Sequence, residues 1–429
     1  MATQKDRRDD RFAVMAGAAD RKETRDAARD EAADAADASR FFSRIGYLLL
    51  AVGAPVGVVL HPLGLYVMFS IGVGLILTAA ALDAEPGFLQ RFMRPFFIPA
   101  FLALLAGLAW AALSILWTPY PVPAGQFLLK LIVLLAATML AVAAPRENAS
   151  ATDLYLFSIG VGLGMATVVA RALAERLLGA PDDGRLMAGG AALAVLLFPA
   201  MGGLAARGRN GLARLLLIVA LCFAYIYSYT PLTIALFAGY LALSFAISDL
   251  PRTAREFSWG AAALILLSPL IPALAPTISA WIFNARLGSL PAPYRALSVA
   301  ADVFTHDKLR LITGHGFATV SRGVRDGILP ADTPRALAFT VWYELGIVGA
   351  ILAAAGTWLA FRNLPRAPGR LAPYMAAAFS AVVALAFLNV DFAEMTTLTL
   401  IAIAVIATDV AARSQYRTSR PSAARLANL

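Results

Sequence analysis

The sequence is poor in the residues that soluble chemistry uses most. One cysteine, Cys222, stands in 429 residues, so an intramolecular disulfide and a cysteine metal cluster are both excluded. The three histidines, His61, His306 and His315, are far apart and form no ligand pair at helical spacing. Charged residues make up 15% of the chain, against about 25% in a soluble domain. No phosphate-binding Gly-x-x-x-x-Gly-Lys loop, no His-Glu-x-x-His and no Gly-x-Ser-x-Gly elbow occurs, which leaves ATP hydrolysis and metallopeptidase chemistry without support. No metal and no cofactor is expected.

What fills the space is apolar. Hydrophobic residues reach 60% and the mean hydropathy is +0.71, so lipid must solvate most of the chain. Apolar runs long enough to cross a bilayer fall near 45–62, 64–82, 96–116, 126–144, 153–171, 187–205, 212–228, 230–248, 257–276, 338–360, 371–389 and 395–412. The expected fold is therefore all-α: a polytopic membrane protein of about 12 transmembrane helices, with one long periplasmic loop, 277–337, between spans 9 and 10. Residues 1–44 carry ten basic and ten acidic side chains and read as a cytoplasmic tail, disordered or helical. Residues 45–412 form the membrane domain, and 413–429 a basic cytoplasmic tail. No cleavable signal is apparent, so the first span is expected to act as the anchor. No internal repeat is found, and the spans are nearly free of charge away from their ends, which argues against a transporter.

The net charge of +9 follows topology, and no nucleic-acid partner is expected. Arg91, Arg94, Arg146, Arg207, Arg209, Arg214, Arg252, Arg255, Arg362, Arg366 and Arg370 fall in one alternating set of short loops. The loops around Pro62, 117–125, 229–231 and 390–394 have neither Lys nor Arg. The positive-inside rule puts the arginine-rich set, and with it both termini, in the cytoplasm. Two outer segments depart from the rule: 171–186, with Arg171, Arg176 and Arg185, and the long loop, with Arg286, Arg295, Arg335 and others.

Those outer arginines are candidates for gripping an anion, because a guanidinium fork matches phosphate oxygens. Arg185, Arg286 and Arg295 could clamp a lipid diphosphate. Alternatively they pair with Asp182, Asp183, Asp302 or Asp307, or with lipid headgroups. His315 sits in the turn Thr313-Gly314-His315-Gly316-Phe317 and is either an accessible base or a solvent-facing turn residue. Glu344 lies about a turn and a half into a membrane helix, either as a functional carboxylate or as a buried one bonded to backbone amides. Trp342 is a candidate interfacial belt residue. Asp391 and Glu394, in the last outer loop, could bind a cation, serve as a base or simply be solvated.

The order of these features resembles the O-antigen ligase and O-antigen polymerase family of bacterial inner membranes. Gly314-His315-Gly316 matches the family's glycine turn. Trp342, Glu344, Leu345, Gly346 and Gly349 match its late motif, and Trp117-Thr118-Pro119 is similar to its early outer loop. The resemblance implies a metal-independent glycosyltransferase with no cofactor. It implies partners: an undecaprenyl-diphosphate-linked glycan, an acceptor that is the lipid A core or a polysaccharide, and membrane lipids. It implies His315 and Glu344 as catalytic groups, and Arg185, Arg286, Arg295 and Arg335 as diphosphate or substrate ligands. Arg335 stands nine residues before Glu344, where ligases of this family usually carry a histidine, and an arginine cannot be a general base. The family's frequent Ser-Arg is missing at 229–231. A polymerase of the same superfamily, or a non-catalytic or transport subunit of polysaccharide export, remains an alternative.

Overall fold

A computed structural model describes residue 31 and residues 33–83, 87–144, 153–178, 185–226, 229–274, 299–302, 310–367, 369–388 and 395–414. The described residues are helical, with turns and no strand. The helices are α1 (Ala33–Leu60), α2 (Pro62–Asp83), α3 (Phe88–Met93), α4 (Pro99–Ser114), α5 (Pro121–Ala143), α6 (Asp153–Leu178), α7 (Arg185–Ala206), α8 (Asn210–Ile226), α9 (Thr230–Ser248), α10 (Leu250–Leu267), α11 (Arg310–Thr313), α12 (Thr319–Arg325), α13 (Leu337–Asn363), α14 (Ala372–Phe387) and α15 (Met395–Ser414). Proline sets many of the starts. Pro62 and Pro99 open α2 and α4, and the next helix-opening proline, Pro121, follows the loop 115–120. A first-turn proline has φ fixed for a helix and gives up no useful donor. The side chain of Asp249 accepts the Arg252 N–H at 3.1 Å and caps α10.

Each of the twelve expected windows holds a helix, but the helices are not equal. Among the described residues eight are long and apolar enough to cross a membrane, and a ninth span is possible if the bent pair Phe88–Phe97 and Pro99–Ser114 counts as one. The helices α8 and α14 are apolar but shorter, and α10 starts with Arg252, Arg255 and Glu256 inside its first turns. The chain is thus a multi-pass, all-helical membrane protein. The first helix also begins earlier than expected, running unbroken from Ala33 through a π-helical stretch at Leu49–Gly53.

The main core gathers about α7, whose span is 94% buried and which touches α1, α6, α8, α9, α14 and α15. In lipid, close packing of small residues has to supply what water exclusion supplies elsewhere. Gly160 and Gly164 of α6 do this against α1. A Cβ at Gly160 would run into the Ala51 carbonyl, and one at Gly164 would come within 3.0 Å of the Pro55 carbonyl. The π stretch carries Ala51, so the bulge and the glycines form one close crossing. A second body of helices, α4, α10, α13 and the short α11, packs around α13.

Segments that charge placed together do meet. The Arg91 Nε–H donates to the Ala143 carbonyl at 2.9 Å, and the Arg413 Nη2–H to the Val142 carbonyl at 2.7 Å. Two cations therefore cap the C-terminal end of α5, where the helix dipole is negative. Arg171, which the charge pattern expected on the opposite side from the other arginines, pairs with Glu175 one turn on, at 3.1 Å.

Candidate functional site

The site is built on a fault in α13. Gly346 sits at φ 65, ψ −161, outside helical geometry. A residue so placed breaks the ladder and leaves the preceding carbonyls without helical donors. Each finds another partner. The Tyr343 carbonyl accepts the His315 N–H at 2.9 Å, the Glu344 carbonyl accepts the Gly316 N–H at 3.0 Å, and the Leu345 carbonyl accepts the Trp110 indole N–H at 2.9 Å. The glycines are required because backbone meets backbone here. A Cβ at Gly314 would overlap the Glu344 carbonyl, and one at Gly346 would overlap the Ile312 carbonyl.

Glu344 is buried, with 4% of its surface exposed. Its Oε2 accepts the Ala318 N–H at 2.8 Å and its Oε1 the Val320 N–H at 2.9 Å. Those amides are the orphan donors at the start of α12. The carboxylate of one helix thus caps another, in the way a local Asp would. Ala318 has φ 61, a left-handed conformation that costs an alanine free energy. The alternation of positive φ at Gly314, Gly316 and Ala318 curls the chain so that its amides converge on the carboxylate.

The loop 115–120 closes the third side. The Thr118 hydroxyl donates to the Phe317 carbonyl at 3.0 Å, and the Phe317 N–H donates to the Ser114 hydroxyl at 3.2 Å. A Cβ at Gly316 would strike the Thr118 backbone. Phe127 and Phe317 pack ring against ring at 5.6 Å. Tyr120, next along, has its phenol pushed above the ordinary range, first by desolvation and then by the neighbouring Asp326 carboxylate.

His315 is half-buried. Its ring stacks on Tyr343, with centroids 4.0 Å apart and planes 6° from parallel. Its Nδ1 lies 3.1 Å from the Tyr343 carbonyl oxygen. A carbonyl only accepts, so Nδ1 donates in this contact.

The two groups expected to be catalytic are therefore joined through one stretch of backbone, but they are held differently: Glu344 as a buried tie, His315 as an oriented imidazole at the edge. Arg335 is exposed, just before α13. Arg286 and Arg295, the side chain of Arg185, and Asp391 and Glu394 lie outside the described residues. Among the described residues no group of three His, Cys, Asp or Glu side chains is arranged to hold a metal ion. Trp342 is buried, and its indole N–H donates to the Ile265 carbonyl at 2.8 Å. That carbonyl lies four residues before Pro269, which has no N–H to offer it. Sequence reasoning missed Trp110, Ser114 and Tyr343. The first two lie just upstream of Trp117-Thr118-Pro119, and extending that element backwards by two helical turns would have found them.

No protein-family model, no curated protein and no solved structure matches this chain.

Proposed function

We propose that this chain is a membrane-embedded glycosyltransferase acting on a lipid-linked glycan. It crosses the bacterial inner membrane twelve times, with both termini in the cytoplasm and the 310–346 junction on the periplasmic side. More narrowly, it is O-antigen ligase-like, moving a glycan from undecaprenyl diphosphate to the lipid A core or to a polysaccharide. An acceptor hydroxyl attacks the anomeric carbon, the bond from that carbon to the diphosphate oxygen breaks, and the diphosphate leaves with the electron pair. His315 Nε2 takes the hydroxyl proton. Outer arginines, Arg335 among them, stabilise the departing charge.

One observation carries this reading. The three short elements that resemble the ligase and polymerase family, 117–119, 314–316 and 342–349, are more than 200 residues apart at their extremes and yet meet around His315. The test is the surface glycolipid profile of a strain carrying His315→Ala, with insertion checked by membrane fractionation. Loss of capped lipid at normal protein level is the expected result; shortened chains would assign the polymerase reaction instead. A wild-type profile removes the catalytic reading.

A non-catalytic subunit of polysaccharide export is the second reading. It is favoured by the carboxylate of Glu344, both of whose oxygens accept backbone N–H groups. It predicts a His315→Ala protein that still binds the lipid-linked glycan and supports normal export.

A further inference from the structure

We infer that the segment Phe88–Phe97 lies flat in the headgroup layer of one leaflet, where Arg94 holds an anionic phospholipid. The inference is independent of the proposed reaction. The helix α3 continues into a 3-10 turn at Arg94–Phe97, and this unit is bent by 78° from α4. If α4 crosses the bilayer, a unit at nearly a right angle to it runs along the membrane surface.

The two sides of the segment differ as an interfacial helix requires. Phe88, Phe92 and Phe96 are half-buried, with Phe96 packed edge-on to Phe101 at 5.3 Å. The neighbouring stripe, spaced by four, is Leu89, Met93 and Phe97, exposed by 66%, 40% and 82%, and Gln90, Arg91 and Arg94 lie on the side away from both. Large apolar side chains left open in this way need an apolar solvent, and the stripe continues on to the exposed Ile98 and Leu102. That continuity with the lipid-facing side of α4 identifies the occupant as lipid.

Charge narrows the lipid class. Two cations, Arg413 and Arg94, act on one carboxylate, Asp409. Arg413 pairs with Asp409 at 2.8 Å and also holds the Val142 carbonyl. Arg91 holds the Ala143 carbonyl. Arg94 is exposed beside the apolar stripe and within electrostatic reach of Asp409. Arg413 holds Asp409 directly, so Arg94, exposed at the end of the apolar stripe, faces the leaflet, and a negative headgroup complements it.

The test uses full-length protein in vesicles, with Cys222→Ser removing the native thiol. Nitroxide labels on Leu89→Cys, Met93→Cys and Phe97→Cys are read by power saturation against oxygen and a water-soluble nickel complex. These side chains are exposed, so labelling them leaves the packing intact. A flat segment puts all three labels at one shallow depth. A segment upright in the membrane would separate the first and last by about 12 Å and overturn the inference. Strong nickel access at all three would also overturn it, indicating a face open to water, and low access to both nickel and oxygen would overturn it by indicating a protein partner. Labels in phosphatidylglycerol vesicles are expected to sit deeper than in phosphatidylcholine, and Arg94→Gln is expected to abolish that difference. Equal depths in the two lipids, with Arg94 present, would sink the anionic-lipid part.

Discussion

The core around α7 and the junction around Gly346 are held by different forces. Around α7 the contacts are between alanine, leucine, glycine and phenylalanine, and helices approach because side chains are small. At the junction the contacts are backbone hydrogen bonds, one carboxylate, one indole and two hydroxyls, and the segments approach because a helix is broken. Packing of the first kind is spread over many residues and resists local loss. The second kind concentrates its hold in a few polar atoms, each costly to leave unpaired once buried. A protein that must both endure in lipid and present a defined polar edge uses each where it fits.

Four substitutions probe this contrast. The largest effect is expected from Glu344→Ala, which strips both caps from α12 and leaves two buried N–H groups unpaired, at about 3–4 kcal/mol. The damage should be local. Trypsin cleavage after Arg322 and Arg325 should speed up sharply, while the thermal midpoint in detergent moves less. Equal acceleration at sites throughout the chain would erase the distinction between the two regions. Gly160→Ala should do the reverse. Its new methyl meets the Ala51 backbone, which cannot rotate away, and we expect about 1–3 kcal/mol. That loss should be read as a lower midpoint with unchanged cleavage at Arg322 and Arg325. Glu344→Gln keeps one good acceptor and turns the other into a donor facing an amide, so about 1–2 kcal/mol is expected, again in the cleavage assay. Trp110→Phe removes only the indole bond to Leu345, about 1 kcal/mol, and should give the smallest rise in cleavage. If Trp110→Phe opened the segment more than Glu344→Ala, the carboxylate would not be its principal tie.

The helical content was legible because twenty-residue apolar runs have few other fates. The grouping of Arg91 and Arg413 at one end of α5 was legible from charge alternation, which assigned both to the same set of arginine-rich segments. The number of full crossings was not. α8 and α14 fall short in length, and α10 carries three charges near its start, while the 78° bend before α4 leaves no trace in hydropathy. At the site, Gly314, His315, Gly316 and Glu344 stood out by residue type. Their partners did not, because the groups that complete the junction are backbone carbonyls and amides, which every residue carries. Trp110 looked like any aromatic in an apolar helix until the break at Gly346 exposed a carbonyl for it. The two alternatives left open for Glu344 differ only in what surrounds the carboxylate, and its own side chain could not distinguish them.

The break at Gly346 has a bearing on how the chain is made. The carbonyls of Tyr343, Glu344 and Leu345 are completed by groups from residues 110, 315 and 316, so α13 cannot mature as an isolated inserted segment. Its first half has to wait until α4, synthesised more than two hundred residues earlier, has come alongside and the 312–320 stretch has been laid down. Biogenesis of this region is therefore a closing step, taken only after the first and last thirds of the protein have found each other.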